Sequence, residues 1–332
     1  CTVCTNDEYL IKKNINLTKK NNRNFIHKWV IAYNYNKNYT ESNIFSNIEN
    51  VLIIKGNQKD EIGVGALNHG ICLNRTKKKI DTRFVLFIDP DFFVLEKNWI
   101  KKIINFMILN NIHLFGAPWH PKWYMKYRYF PCSHFLLIDT KNVSIDDIDF
   151  RPLNLFWTGS SFDYNFSIKK NSKIKNLLKK ITPTIFRKIY RKFIIFKDYN
   201  YNIRKKIGWD GDTTSRIYLT YQKKKEVFLL TPIYNVKSQW NLPISLKINK
   251  IIEYFLPENL SYIPKKNTYF AHDIKFSKLF ENLEYEGFLW NEKPFGFHVR
   301  GYPKDKTRIR EKEIIDVDRV INNFNENFNF SE

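Results

Sequence analysis

Five apolar residues, Phe84-Val85-Leu86-Phe87-Ile88, run straight into Asp89-Pro90-Asp91. The run has the length of one strand, and it is apolar at alternating and intervening positions alike. That pattern marks a central strand covered on both faces. Such a strand must be covered by helices, so the expected class is α/β. Its two carboxylates then fall just past the carboxyl end of the strand, where open α/β sheets hold their ligands.

The flanking sequence agrees. Residues 2–5 read as a strand and residues 8–20 as a helix, with Leu10, Ile11, Asn14, Ile15 and Thr18 at helical spacing. Residues 27–32 and 51–54 read as two further strands, and residues 61–73 as a helix with small residues on one side. Residues 99–109 form an amphipathic helix, and residues 113–117 and 134–138 two more strands. The order implies a Rossmann-like, mostly parallel central sheet flanked by helices over residues 1–140. Residues 141–332 are expected to be a helical and irregular second part, with another strand at 227–230 and a frayed, low-complexity end.

Length, 332 residues, suits one large or two modest domains. With 43% hydrophobic residues there is ample core material, which excludes a disordered tail or a coiled coil. No apolar run approaches the ~20 residues of a membrane-spanning helix. The chain opens at Cys1 with no charged-then-apolar leader, so no signal peptide is visible. Four cysteines include a single C-x-x-C at Cys1 and Cys4, too few for a zinc ribbon, and free thiols are expected.

Two carboxylates two residues apart at a strand end can face one ligand. Hard divalent cations, Mg²⁺ or Mn²⁺, want such oxygens together with substrate phosphates. The bland alternative is a solvated Asp-Pro turn. Upstream lies Gly63-Val-Gly65-Ala66-Leu67-Asn68-His69-Gly70. The third position of a dinucleotide fingerprint is Asn68 rather than Gly, and the preceding strand ends well before Gly63, so a dinucleotide cofactor is not expected. The glycines either ease the approach of a nucleotide, with Asn68 on the inner face, or simply allow close helix–sheet packing.

The run from Lys55 to Asp91 (KGN…GVGALNHGI…RFVLFIDPD) resembles the donor-binding half of inverting, family-2-like glycosyltransferases of bacterial type with the GT-A fold. The resemblance covers residues 1–140 well and the remainder thinly. It implies a nucleotide-sugar donor and a Mn²⁺ or Mg²⁺ ion at Asp89 and Asp91. Thr5, Asn6, Asn34, Lys55, Asn68 and Asp89 are the implied donor contacts. The family usually has an Asp after its second strand, and this chain has Asn34 and Asn36 there.

The resemblance also implies a general base for an inverting attack by an acceptor hydroxyl. In Gly208-Trp209-Asp210-Gly211-Asp212-Thr213-Thr214-Ser215-Arg216, Asp212 takes the helix-start position, with Asp210 as competitor. His298, in Phe297-His298-Val299-Arg300, is the implied third metal ligand, with His272 as rival, and Arg300 could meet the diphosphate. Trp119, Tyr124 and His134 belong to an aromatic-rich stretch that would stack on an acceptor sugar, unless it is ordinary core. The acceptor implied is a cell-surface glycan or a lipid-linked precursor.

The formal charge is +22, in a chain whose Lys, Asn, Ile, Phe and Tyr excess is that of A/T-rich codons. Part of it is local: residues 169–206 hold fourteen Lys and Arg, and Ile and Leu recur there at helical spacing. No nucleic-acid-binding module appears, and no nucleic-acid partner is expected. A basic amphipathic helix pair reads as an element lying on an anionic membrane surface, or as a solvated face. The expected location is cytoplasmic, peripheral at the inner face of the cytoplasmic membrane. Two other functions share these features: a non-catalytic binding protein on a decayed transferase fold, and a metal-dependent nucleotidyltransferase.

Overall fold

The computed structural model describes residues 1–5, 7–34, 45, 47–56, 66–120, 130–152, 213–221, 225–233, 285–299, 317–319 and 321–322. In chain order the first elements are β1 (Thr2–Cys4), α1 (Glu8–Asn21), β2 (Trp29–Tyr33), β3 (Val51–Ile54) and α2 (Ala66–Lys77). Then come β4 (Phe84–Ile88), β5 (Phe92–Val94), α3 (Trp99–Leu109), β6 (Leu114–Pro118) and β7 (Pro131–Asp139). The second half contributes α4 (Ser215–Tyr221), β8 (Val227–Leu229), β9 (Thr231–Pro232), β10 (Tyr285–Trp290) and β11 (Lys293–Val299).

β1, β2 and β3 pair in parallel, with β2 in the middle. β4, β7, β6 and β8 form a second ladder in that order. Cys1 links the two: its nitrogen donates to the Leu86 carbonyl at 2.7 Å, and its carbonyl accepts from Ile88 at 3.0 Å. That alternation is a parallel bridge, so one continuous sheet runs β3-β2-β1-β4-β7-β6-β8. The expected α/β class with a mostly parallel sheet holds. The departure is β7, which runs antiparallel to both β4 and β6.

The apolar run is the central strand it was read to be. Phe87 is fully buried and Ile88 is 3% exposed. On one side α1 buries Leu10, Ile11, Asn14, Ile15 and Thr18, the 3.6-residue stripe visible in its sequence. α3 buries Trp99, Ile103 and Met107, four residues apart, and leaves Ile108 and Leu109 exposed. α2 packs so closely that a Cβ on Gly70 would lie 2.3 Å from the Phe150 carbonyl oxygen. α2 reaches Lys77, four residues beyond the expected end, and residues 61–65 lie outside the described residues.

A second, antiparallel sheet runs β5-β11-β10-β9. Sequence reading missed β5, β10 and β11, expecting mostly loop and short elements in the C-terminal third. The chain crosses between the two sheets twice, from β4 to β5 through Asp89-Pro90-Asp91 and from β8 to β9 through Leu230. Between the sheets lies an aromatic core. Phe92 stacks on Phe135 at 4.8 Å, and Phe288, Trp99 and Phe295 close round them. Each such ring, fully buried, contributes about 1.5–3 kcal/mol. This core anchors the crossing that carries the two aspartates.

All four cysteines are free thiols, Cys4, Cys72 and Cys132 buried and Cys1 partly so, as expected. Among the described residues, no helix is long and apolar enough to cross a membrane. The basic stretch 169–206 lies outside the described residues.

Candidate metal centre and donor cleft

Asp89 follows the last residue of β4 and Asp91 precedes the first residue of β5. A tight turn joins them: Phe92 donates its N–H to the Asp89 carbonyl at 3.1 Å. Pro90 suits that turn, because its fixed φ presets the bend and it has no N–H to satisfy. Three neighbours pin the turn. Asp89 donates its N–H to the His134 carbonyl at 3.1 Å, and the Asp91 carbonyl accepts from Val299 at 2.9 Å. The buried Asn14 side chain, reaching from α1, donates to the Phe92 carbonyl at 2.7 Å.

β11 brings His298 to this turn. In the β5–β11 register, His298 stands opposite Phe92, one residue from Asp91. Its Nε2 lies 3.1 Å from Asp91 Oδ1 and 3.8 Å from Asp89 Oδ2. One ligand atom from each of Asp89, Asp91 and His298 falls within 4.8 Å of the others. His298 is 2% exposed and its Nδ1 lies 3.1 Å from the carboxylate of Glu286, which is fully buried. The His134 ring stacks on the His298 ring at 4.8 Å and 11°.

Burial pushes the His298 imidazole down, but Asp91 and then Glu286 outweigh it and raise its pKa to about 9. Three carboxylates around one imidazolium leave a net negative cluster. Two carboxylate oxygens and an imidazole nitrogen are a donor set suited to Mn²⁺, and Mg²⁺ prefers the oxygens alone. The residues therefore fit a divalent ion. His69 on α2 adds an imidazole 3.4 Å from Asp89 Oδ1. Sequence reading quoted His69 only within the Asn68-His69-Gly70 run; its one signal was helical placement beside Asn68.

The other donor candidates gather at the carboxyl ends of β1, β2 and β3. Asn34 donates its side-chain N–H to the Thr5 hydroxyl, and its Oδ1 accepts from the Cys72 thiol at 2.7 Å. Arg75, which sequence reading passed over, ties the strand ends together. Its guanidinium donates to the Tyr33 carbonyl at 2.7 Å and the Lys55 carbonyl at 2.9 Å. The Lys55 side chain is exposed, and Asn68 on α2 is half-buried. Asn6, Asn36, Gly63, Gly65 and Arg300 lie outside the described residues.

Of the acceptor candidates, Trp119 is 7% exposed and His134 1%, with their rings 6.0 Å apart at 70°. His134 sits in the core between the sheets, against Phe92 and Phe288, and Trp119 packs in a second cluster with Phe87, Phe130 and Leu136. Tyr124, Asp210, Asp212 and His272 lie outside the described residues. The residue after Asp212 is held firmly: the Thr213 and Ser133 hydroxyls share a hydrogen bond of 2.7 Å, and Thr213, Thr214 and Ser215 are all buried. Ser133 adjoins His134, whose carbonyl holds Asp89. Arg216 anchors the same segment, donating to the Arg151 carbonyl at 2.8 Å.

A separate, largely apolar cavity of about 320 Å³ opens among Trp29, Phe84, Leu86, Trp99 and Ile100. It lies toward the amino ends of β2 and β4, whereas the carboxylates lie beyond the carboxyl end of β4. We assign no ligand to it.

The fold is α/β, and at the carboxyl end of its central strand Asp89, Asp91 and His298 form a group that could hold a metal ion. No protein-family model matches the chain, and no curated protein matches it. Solved structures do resemble it. One is TarS from S. aureus, residues 1–349, at 16% identity and a TM-score of 0.34, over 45% of this chain and 48% of that one. Another is the mannosyltransferase PcManGT from Pyrobaculum calidifontis with GDP-Man and Mn²⁺, at 8% identity and 0.31, over 42% and 43%. A third is the galactosyltransferase LgtC with donor and acceptor sugar analogues, at 14% identity and 0.31, over 42% and 57%. The chain spans about half the length of the solved chains it matches.

Proposed function

We propose that the chain is a metal-dependent glycosyltransferase of the GT-A type, moving a sugar from a nucleotide-sugar to a hydroxyl acceptor with inversion. The observation that carries this reading is the meeting of Asp89, Asp91 and His298 just beyond the carboxyl end of the central strand. Asp89, Asp91 and His298 would hold Mn²⁺ or Mg²⁺. When bound, the ion supplies Lewis-acid neutralisation of a leaving diphosphate.

The chain's own residues do the rest. Thr5, Asn34, Lys55 and Asn68 would receive the nucleoside, Asn6 and Arg300 completing the donor site. Asn34 in place of an Asp offers both a donor and an acceptor to the base. Asp212 takes the proton of the acceptor hydroxyl, with Asp210 as the second candidate. The anchoring of Thr213 on Ser133, one residue from His134, supports this, since a base must be held at a fixed place. Residues 1–140 serve as the donor half and residues 141–332 as the acceptor part. Tyr124 would meet the acceptor from the donor half, since Trp119 and His134 are buried, and residues 169–206 rest on an anionic membrane surface presenting a glycan or lipid-linked acceptor.

The test is a panel of nucleotide-sugars with Mn²⁺ or Mg²⁺ and simple glycoside acceptors, the product anomer read by proton NMR. Transfer with an inverted anomeric centre is expected. A retained centre overturns the inverting assignment, and a nucleoside monophosphate on the acceptor selects a nucleotidyltransferase instead.

A further inference from the structure

We propose that Glu286 is a positioning residue for the cation site: it accepts the Nδ1–H of His298 and so presents the bare Nε2 to an ion shared with Asp89 and Asp91. The inference rests on the metal reading above and adds a residue that neither the motif nor the resemblance named.

The two side chains are direct cross-strand partners. In the β10–β11 ladder Glu286 stands opposite His298, and in the β5–β11 ladder His298 stands opposite Phe92. Directly opposed residues share a face of the sheet, with Cβ atoms about 4.5–5.5 Å apart. β11 therefore carries His298 between a carboxylate on one side and the aspartate turn on the other. The distances are equal on both sides: Nδ1 to Glu286 Oε2 is 3.1 Å, and Nε2 to Asp91 Oδ1 is 3.1 Å.

Glu286 has no exposed surface and His298 almost none, so water does not compete for Nδ1. A buried carboxylate is costly unless it is paired and hydrogen-bonded. In a sheet core of Phe and Trp, an apolar residue at 286 would cost less, and the Glu makes chemical sense as the partner of His298. Ring orientation is fixed from a third direction by the His134 ring, stacked 4.8 Å away at 11°. Hydrogen bond and stack together leave Nε2 one direction to face. A carboxylate on the far nitrogen of a ligating histidine sets its tautomer and raises its donor strength.

The experiment measures Mn²⁺ affinity of the full chain by electron paramagnetic resonance, without nucleotide, together with the nitrogen coupling of bound Mn²⁺ to imidazole. Wild type should bind Mn²⁺ with an imidazole coupling that disappears in His298→Ala. Glu286→Ala should weaken Mn²⁺ binding about ten- to a hundredfold. Glu286→Gln, whose amide oxygen can accept the same N–H, should recover most of that loss. In the His298→Ala background, Glu286→Ala should cost nothing further, which separates positioning from a merely structural role. Unchanged affinity in Glu286→Ala overturns the proposal. So does a Gln variant no better than Ala, or an equal loss in the His298→Ala background. Should Glu286→Ala fail to fold, the Gln variant and the wild-type coupling still decide. A wild type that binds no Mn²⁺ overturns the metal reading itself, an outcome distinct from Mn²⁺ binding that ignores Glu286.

Discussion

His298 Nε2 and Asp91 Oδ1 lie 3.1 Å apart across 207 residues of sequence. The pair exists because β5, only three residues long, leaves the central sheet and is captured by β11. Without that second sheet, Asp89 and Asp91 would end a strand in solvent. With it they gain a buried imidazole and a third carboxylate behind it.

One consequence is a pH dependence. With its pKa raised to about 9, metal-free His298 is protonated at neutral pH, and Nε2 must lose that proton to bind a cation. Mn²⁺ affinity should therefore climb with pH by up to about tenfold per unit toward pH 9, with proton release visible in buffers of different ionisation heat. The metal-free fold shows the opposite trend. A raised folded-state value contributes stability that is complete below about 6.5 and is lost as pH rises through about 9. Flat affinity across that window would contradict the assignment of His298.

The base assignment separates binding from turnover. Asp212→Asn should lower kcat about 10²–10⁴-fold and leave Mn²⁺ affinity unchanged. Asp210→Asn should have a much smaller effect. Steady-state kinetics beside Mn²⁺ titration checks both, and the reverse ranking would transfer the role to Asp210.

Gly70 tests the packing of α2 on the segment that follows β7. A Cβ there would meet the Phe150 carbonyl oxygen at 2.3 Å, and backbone on both sides must give way. Gly70→Ala should destabilise the fold by about 1–3 kcal/mol, read from urea unfolding midpoints. An unaltered midpoint would mean that α2 has room to shift.

The basic stretch makes a prediction independent of the metal. Replacing Lys169, Lys170, Lys173, Lys175, Lys179 and Lys180 by Gln should weaken sedimentation with phosphatidylglycerol-containing vesicles. Each surface cation contributes about 1 kcal/mol there. Mn²⁺ binding should be unaffected. Equal sedimentation of the variant would return the stretch to a solvated face.

Legibility followed the physics of each element. β4 and the aspartate pair were readable because a doubly covered strand is apolar throughout, and the abrupt Asp-Pro-Asp ends it. α1 showed its stripe, and His298 came from resemblance. The β10–β11 hairpin was hidden by its turn. Asn291 and Glu292 both take positive φ, 50° and 62°, which tight hairpins usually assign to Asn-Gly. With Glu at the second place the usual signal is missing, and with it went Glu286, whose meaning depends on cross-strand register. Asn14 and Arg75 were hidden for a related reason. Each acts on backbone carbonyls far away in sequence, and no local spacing announces that.

Donor cleavage should depend on a cation held by Asp89, Asp91 and His298. Its most direct measurement is nucleoside diphosphate release from a nucleotide-sugar, with Mn²⁺ and with chelator, in wild type and Asp91→Ala. Release is expected to need Mn²⁺ in wild type and to be lost in Asp91→Ala, while the variant keeps its fold by circular dichroism. Release that survives chelation, or proceeds unchanged in Asp91→Ala, would contradict that dependence.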